Sequence, residues 1–157
     1  MSPFPGLDRA DTKILKLLSE DGRMSWRDLS EKVGLSLTPT LRRVRRLEDE
    51  GYILGYAAKL DEARLAGSMS IFVSVTLERQ SEEILKVFES RIADVPEIMS
   101  CFLMTGGADY LLRVVVRDLK EYQEFLMNIL TRIPGVDHIQ SSFALKPVIQ
   151  RPAPAMR

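Results

Sequence analysis

Apolar residues in the first part of the chain recur every three or four positions. They fall at Leu7, Ala10, Ile14, Leu15, Leu17 and Leu18, the spacing of one helical face. Asp8 and Asp11 stand in the first turn, beside the positive end of the helix dipole, and Asp21-Gly22 ends it. Ser25 opens a second helix as N-cap, with Asp28 three residues on completing a capping-box-like pair. Trp26, Leu29 and Val33 give its apolar stripe, and Gly34 closes it in a left-handed position. Ser36 caps a third helix, in whose first turn Pro39 is tolerated. There Leu37, Leu41, Val44 and Leu47 predict the buried face, which turns Thr38, Thr40, Arg42, Arg43, Arg45 and Arg46 outward. Gly51 stops the helix, and Tyr52 to Tyr56 reads as a short strand or hairpin arm. Three short helices with a glycine turn before the third, then a strand, predict a winged helix-turn-helix over residues 1–56.

After a connector at 57–68, read as strand plus turn, the period changes to two. Ile71, Val73, Val75 and Leu77 alternate with Phe72, Ser74 and Thr76, predicting a strand from Met69 to Leu77. A helix follows from Ser81 to Val95, with Ile84, Val87, Phe88 and Ile92 inward. Ile98 to Thr105 is an apolar strand, Gly106-Gly107-Ala108-Asp109 a tight turn, and Tyr110 to Arg117 the next strand. Asp118 caps a long helix stopped by Pro134-Gly135, and Val136 to Leu145 is the last strand. The order βαββαβ is a ferredoxin-like unit over residues 69–147, which makes the chain α+β. Pro147, Pro152 and Pro154 mark residues 148–157 as a loose tail. Two helices cover only one face of four strands. The second strand nevertheless carries Ile98, Phe102 and Met104 opposite Met99, Cys101 and Leu103, so an apolar surface is left for a partner. A second copy of the chain is the economical one, giving a homodimer.

Composition adds exclusions. No apolar run reaches the roughly 20 residues a membrane helix needs, and the N-terminus lacks the basic and apolar regions of a secretory signal. The single Cys101 fits a reducing compartment, so a cytoplasmic location with no membrane partner is expected. A single His removes most His-based metal sites and Ser/His triads. Gly106-Gly107 is too short to cradle a nucleotide. Neither a catalytic residue, a metal nor a cofactor is therefore expected, and an enzyme built on the ferredoxin-like half is disfavoured.

The 22 Lys+Arg balance 22 Asp+Glu, which taken as a total weighs against phosphate binding. The distribution reverses that inference. Arg42, Arg43, Arg45 and Arg46 lie within five residues, with no acid between Lys32 and Glu48. On the exposed face of a third helix they suit the major groove of double-stranded DNA, with Ser36, Thr38, Pro39 and Thr40 at its leading end.

Leu7-Asp8, Asp11, Ile14-Leu15, Asp21-Gly22-Arg23, Val33-Gly34-Leu35-Ser36 and the run Arg43 to Ile53 resemble the DNA-binding domain of the Lrp/AsnC (feast/famine) transcription regulators. The second half resembles that family's ligand-sensing domain at Thr105-Gly106-Gly107-Ala108-Asp109-Tyr110, at Pro134-Gly135-Val136 and at Ser141 to Lys146. The likeness covers about residues 7–147. It implies a transcription regulator whose DNA binding or assembly responds to a small effector, usually a free amino acid held near the glycine-rich turn. It further implies dimers that assemble into tetramers or octamers. For a zwitterion, the N–H groups of Gly106 and Gly107 and the hydroxyls of Thr105, Ser141 and Ser142 would address the carboxylate. Asp109 would accept from the ammonium, with Tyr110 beside it, while Phe102 and Met104 line the pocket. The competing reading is an architectural DNA-coating protein without an effector.

Overall fold

The computed structural model describes residues 6–151 and 153–154. Pro152 and the outer ends of the sequence-assigned N-terminal domain and tail lie outside the described residues. The chain divides into two compact units, one running to Lys59 and joined by the tail from Ile149, the other spanning Leu60–Val148. The division falls within the stretch read as connector.

The first unit has three helices, α1 (Arg9–Glu20), α2 (Trp26–Val33) and α3 (Leu37–Asp49). Asp8 and Asp11 form a capping box at the start of α1, and Ser25 accepts the Asp28 N–H at the start of α2. Gly34 ends α2 at φ 86°, a conformation that favours glycine. Leu7, Ile14, Leu15, Leu18, Leu29, Val44 and Leu47 form the core, with Met24, Val33 and Ile53 packed on it. Burying a side chain such as Leu29 or Leu47 fully contributes about 2 kcal/mol. Two expectations fail here. Trp26 is exposed rather than core, and residues 52–56 form no strand. The backbone leaves α3 through Gly51, Tyr52 and Ile53 both donate to the Leu47 carbonyl, and Tyr56 donates to Glu48 at 2.9 Å.

The second unit begins with a one-turn helix, α4 (Glu62–Leu65), capped by Asp61, where strand plus turn was expected. Then follow β1 (Met69–Leu77), α5 (Glu82–Ile92), β2 (Ile98–Leu103), β3 (Tyr110–Val116), α6 (Leu119–Asn128), a 3-10 turn (Leu130–Arg132) and β4 (Val136–Ala144). The strands lie in the order β2-β3-β1-β4, all antiparallel, the ferredoxin-like arrangement. Between Gly67 and β3 there is no room for a side chain: a Cβ on Gly67 would stand 2.2 Å from the Val116 carbonyl oxygen.

One face of the sheet is sealed by the helices. Ile71, Val73, Val75, Tyr110, Leu112 and Val114 meet Phe88, Ile92, Tyr122 and Phe125 there. Val87, expected inward, is exposed, and Leu85 packs on the core in its place. The long helix expected to Pro134 stops at Asn128, with Ile129 at φ −115°, ψ −70°. The opposite face is open and mixed. Phe72 and Phe102 are exposed on it, while Arg113 makes a bidentate pair with Glu62 that pins α4 to β3. A register shift between Ile98 and Ser100 changes the phase of β2. Ile98, paired with Val114, and Cys101, paired with Leu112, therefore share the helix-covered face, and Phe102 with Leu111 takes the open one. The expectation that Ile98 and Phe102 share a face is corrected by this bulge.

Candidate nucleic-acid and effector sites

Helix α3 presents two stripes. Thr40, Val44 and Leu47 are buried, at spacings of four and three. Thr38, Arg42, Arg45 and Asp49 recur at four, three and four on the exposed side. Thr40, expected outward, is fully buried and donates its hydroxyl to the Ser36 carbonyl at 2.9 Å. Leu37, expected in the core, is exposed. Ser36 occupies the N-cap without a side-chain capping bond, and Pro39 is half-buried in the first turn.

The four arginines divide in two. Arg42 and Arg45 are exposed and form no ion pair among the described residues. Arg43 and Arg46 turn toward α1, which corrects the expectation of four outward guanidiniums. Arg43 Nη1 lies 2.6 Å from Asp8 Oδ2 and 2.8 Å from Asp11 Oδ1. Arg46 Nη2 lies 2.6 Å from Asp11 Oδ2, with Glu50 3.8 Å from its Nε. The Asp11 backbone N–H, then Arg43, holds the Asp8 carboxyl below its ordinary range. Bonds to Asp11 and then to Asp8 push the Arg43 guanidinium up. These acids lie 32 and 35 residues from Arg43, too far for helical spacing to reveal the pairing.

At the glycine turn, Met104 donates to the Asp109 carbonyl at 2.8 Å, and Asp109 donates to the Val75 carbonyl at 2.9 Å. These bonds close the loop and leave its tip outside. Met104, Thr105, Gly106 and Gly107 are exposed. The N–H groups of Gly106 and Gly107 have no acceptor among the described residues. Gly106 sits at φ 124°, whereas a Cβ at Gly107 would meet nothing within 4 Å.

Four other residues expected at this site are used differently. Asp109 is only 4% exposed. Its Oδ2 accepts the Leu77 N–H at 2.7 Å and its Oδ1 the Gln80 amide at 2.5 Å. It tethers the turn to the end of β1, and the expected ammonium acceptor is already taken. Tyr110 is buried against Phe88, ring centroids 4.5 Å apart, and donates to Glu89 at 2.8 Å. Burial and then Glu89 push its phenol well above the usual range. Ser141 bonds to the Tyr122 hydroxyl beneath the sheet. Ser142, paired with Phe72, lies on the open face. The two serines thus point to opposite sides, a result that strand alternation alone could have supplied. With β4 and β2 at opposite edges, Ser142 stands about 14 Å across the sheet from the strand leading to the turn, three strand spacings. Cys101 is half-buried, its thiol pushed up to about 11 by desolvation and then by Glu89; nothing activates it.

Comparison with known proteins agrees with both halves. A family model described as winged helix-turn-helix DNA-binding matches residues 7–53. A second, described as the Lrp/AsnC ligand binding domain, matches residues 70–154. The Bkd operon transcriptional regulator of Pseudomonas aeruginosa is 66% identical, covering 96% of this chain and 98% of that protein. The leucine-responsive regulatory protein of Escherichia coli is 41% identical over 94% of this chain and 90% of its own length. A transcriptional regulator of Neisseria meningitidis, solved as a complex with L-Met, matches with TM-score 0.87 at 37% identity, covering 92% of this chain and 94% of that one.

Proposed function

The chain belongs to the Lrp/AsnC family of DNA-binding transcription regulators, and on that footing we propose how it reads DNA and what it senses. Thr38, Arg42 and Arg45 enter the major groove of a specific duplex site. An amino acid at the Gly106-Gly107 turn alters that binding or the assembly that supports it. No enzymatic step is required, and no cofactor beyond the effector. The observation that carries the DNA reading is the exposed stripe of α3, whose two guanidiniums have no internal acid. Their reach and charge suit guanine edges or phosphates.

Support for an amino acid comes from the Neisseria regulator with L-Met and the relatives called leucine-responsive. Both names point to an apolar side chain, for which exposed Phe102 and Met104 offer contact. The unpaired N–H groups of Gly106 and Gly107 suit a carboxylate. A homodimer through the open sheet face would cover Phe72 and Phe102. A further association of dimers, to a tetramer or octamer, would let Ser142 of one copy approach the turn of another. No helix among the described residues is long and apolar enough to cross a membrane, and the chain works in the cytoplasm beside the chromosome.

The test has two parts. An Arg42→Ala/Arg45→Ala variant is expected to bind duplex more weakly, and to flatten the plot of log affinity against log salt by about 1.8, at about 0.9 for each cation removed from the interface. Binding indistinguishable from the parent overturns the α3 assignment. Thermal melts with each of the twenty amino acids at millimolar concentration are expected to rise for at least one apolar amino acid, because a ligand of the folded state must stabilise it. Twenty unchanged melts favour the effector-free architectural reading.

A further inference from the structure

A single buried carboxylate faces two of the four α3 guanidiniums, hydrogen-bonding that of Arg43 and pairing by charge with that of Arg46. Asp11 is 1% exposed. Its Oδ1 meets Arg43 and its Oδ2 meets Arg46, at 2.8 and 2.6 Å. Oδ2 also accepts the Asp8 N–H at 3.0 Å, and Asp8 Oδ1 accepts the Asp11 N–H at 2.9 Å, so the carboxylate is fixed to the first turn of α1. Asp8 adds a second bond to Arg43 at 2.6 Å. Two cations facing one buried anion stay there, because drawing them away leaves an uncompensated buried charge. The consequence at the surface is a halving of the free positive charge on the helix.

We infer that Asp11 is a specificity-determining residue: by holding Arg43 and Arg46 on α1 it withholds two guanidiniums from the DNA backbone. Non-specific affinity comes almost wholly from phosphate contacts, each releasing counterions. Base contacts, by contrast, depend on which side chains face the groove. A helix with four free arginines would grip any duplex. With two withheld, binding rests on the stripe Thr38, Arg42 and Arg45, and the clamp also sets the rotation that turns this stripe outward. Asp11 acts through the arginines and touches no DNA, so it is a positioning residue. The inference rests on the proposed role of α3 in DNA binding.

The probe is a mixed-sequence duplex of about 40 base pairs, titrated with the full chain over a range of salt concentrations, with circular dichroism reporting folding. Asp11→Asn is expected to bind this duplex more tightly than the parent and to steepen the salt slope by about 0.9, the contribution of one released cation. Asp8→Asn/Asp11→Asn is expected to steepen it by about 1.8. A folded Asp11→Asn whose slope is unchanged or shallower overturns the inference. Should Asp11→Asn fail to fold, Arg43→Gln decides. Its slope is expected to match the parent while Arg42→Ala loses about 0.9, and an equal loss in both variants overturns the inference. If neither Arg42→Ala nor Arg45→Ala changes the slope, the α3 reading itself has failed, an outcome separate from failure of the clamp.

Discussion

Among the described residues each unit contains one buried aspartate, and the two do opposite things to the surface nearby. Asp11 faces two guanidiniums, hydrogen-bonded to that of Arg43 and in ion-pair contact with that of Arg46, charged groups drawn from the basic surface of α3. Asp109 is bonded to neutral donors, the Leu77 N–H and the Gln80 amide, so it removes no charge from its surroundings. It fixes the frame of a turn whose tip stays unpaired. In the first unit a buried acid edits charge. In the second, a buried acid shapes backbone, and the groups left unpaired at the turn are N–H donors rather than a carboxylate.

The largest expected effect tests the frame. Asp109→Ala leaves the Leu77 N–H buried without an acceptor and should destabilise the second unit by about 3 kcal/mol, read by denaturant melts. Asp109→Asn keeps an oxygen for the same N–H and should cost about 1 kcal/mol. Equal losses in the two variants would mean that the negative charge, not the hydrogen bond, matters, and the contrast with Asp11 would collapse.

A smaller effect concerns Tyr110, which adjoins Asp109 in sequence but belongs to the core. Tyr110→Phe removes one hydrogen bond to Glu89 and should cost about 1 kcal/mol. The thermal shift produced by a saturating amino acid should persist in this variant. Loss of that shift with little loss of stability would return Tyr110 to the effector site and make the turn more than a backbone frame.

How far these roles were legible from residues alone differs between the units. Alternation from Met69 to Leu77 gave β1 with its observed ends, because a half-covered strand writes its burial into every second residue. Caps at Ser25 and Asp118 were equally readable. Helix α3 was harder. Leu37-Leu41-Val44-Leu47 and Thr40-Val44-Leu47 are both helical spacings, and apolarity favoured the first. The fold favours the second because Thr40 satisfies its hydroxyl internally, on the Ser36 carbonyl. The β2 bulge and the Asp11 clamp depend on neighbours distant in sequence, so no local pattern encodes them. The opposite faces of Ser141 and Ser142, however, were available from period two alone.

The smallest effect lies at the exposed edge of the clamp. Accepting the Asp11 N–H, and then pairing with Arg43, lowers the Asp8 pKa in the folded state below its ordinary value of 3.8. A depressed carboxylate pKa favours folding wherever the group is ionised in both states, so the contribution is complete above that ordinary value. It declines as pH falls through the folded-state value, where the native carboxylate also takes a proton. Half of the Asp8 side chain is open to solvent, and screening keeps the pair's worth at about 0.5 kcal/mol. Asp8→Asn, which retains an oxygen for the helix cap, is therefore expected to melt slightly below the parent at pH 6 and level with it at acid pH. The gap at pH 6 should also narrow in high salt. A gap that instead grows on acidification would mean that Asp8 is destabilised as an anion, and that the clamp on Arg43 rests on Asp11 alone.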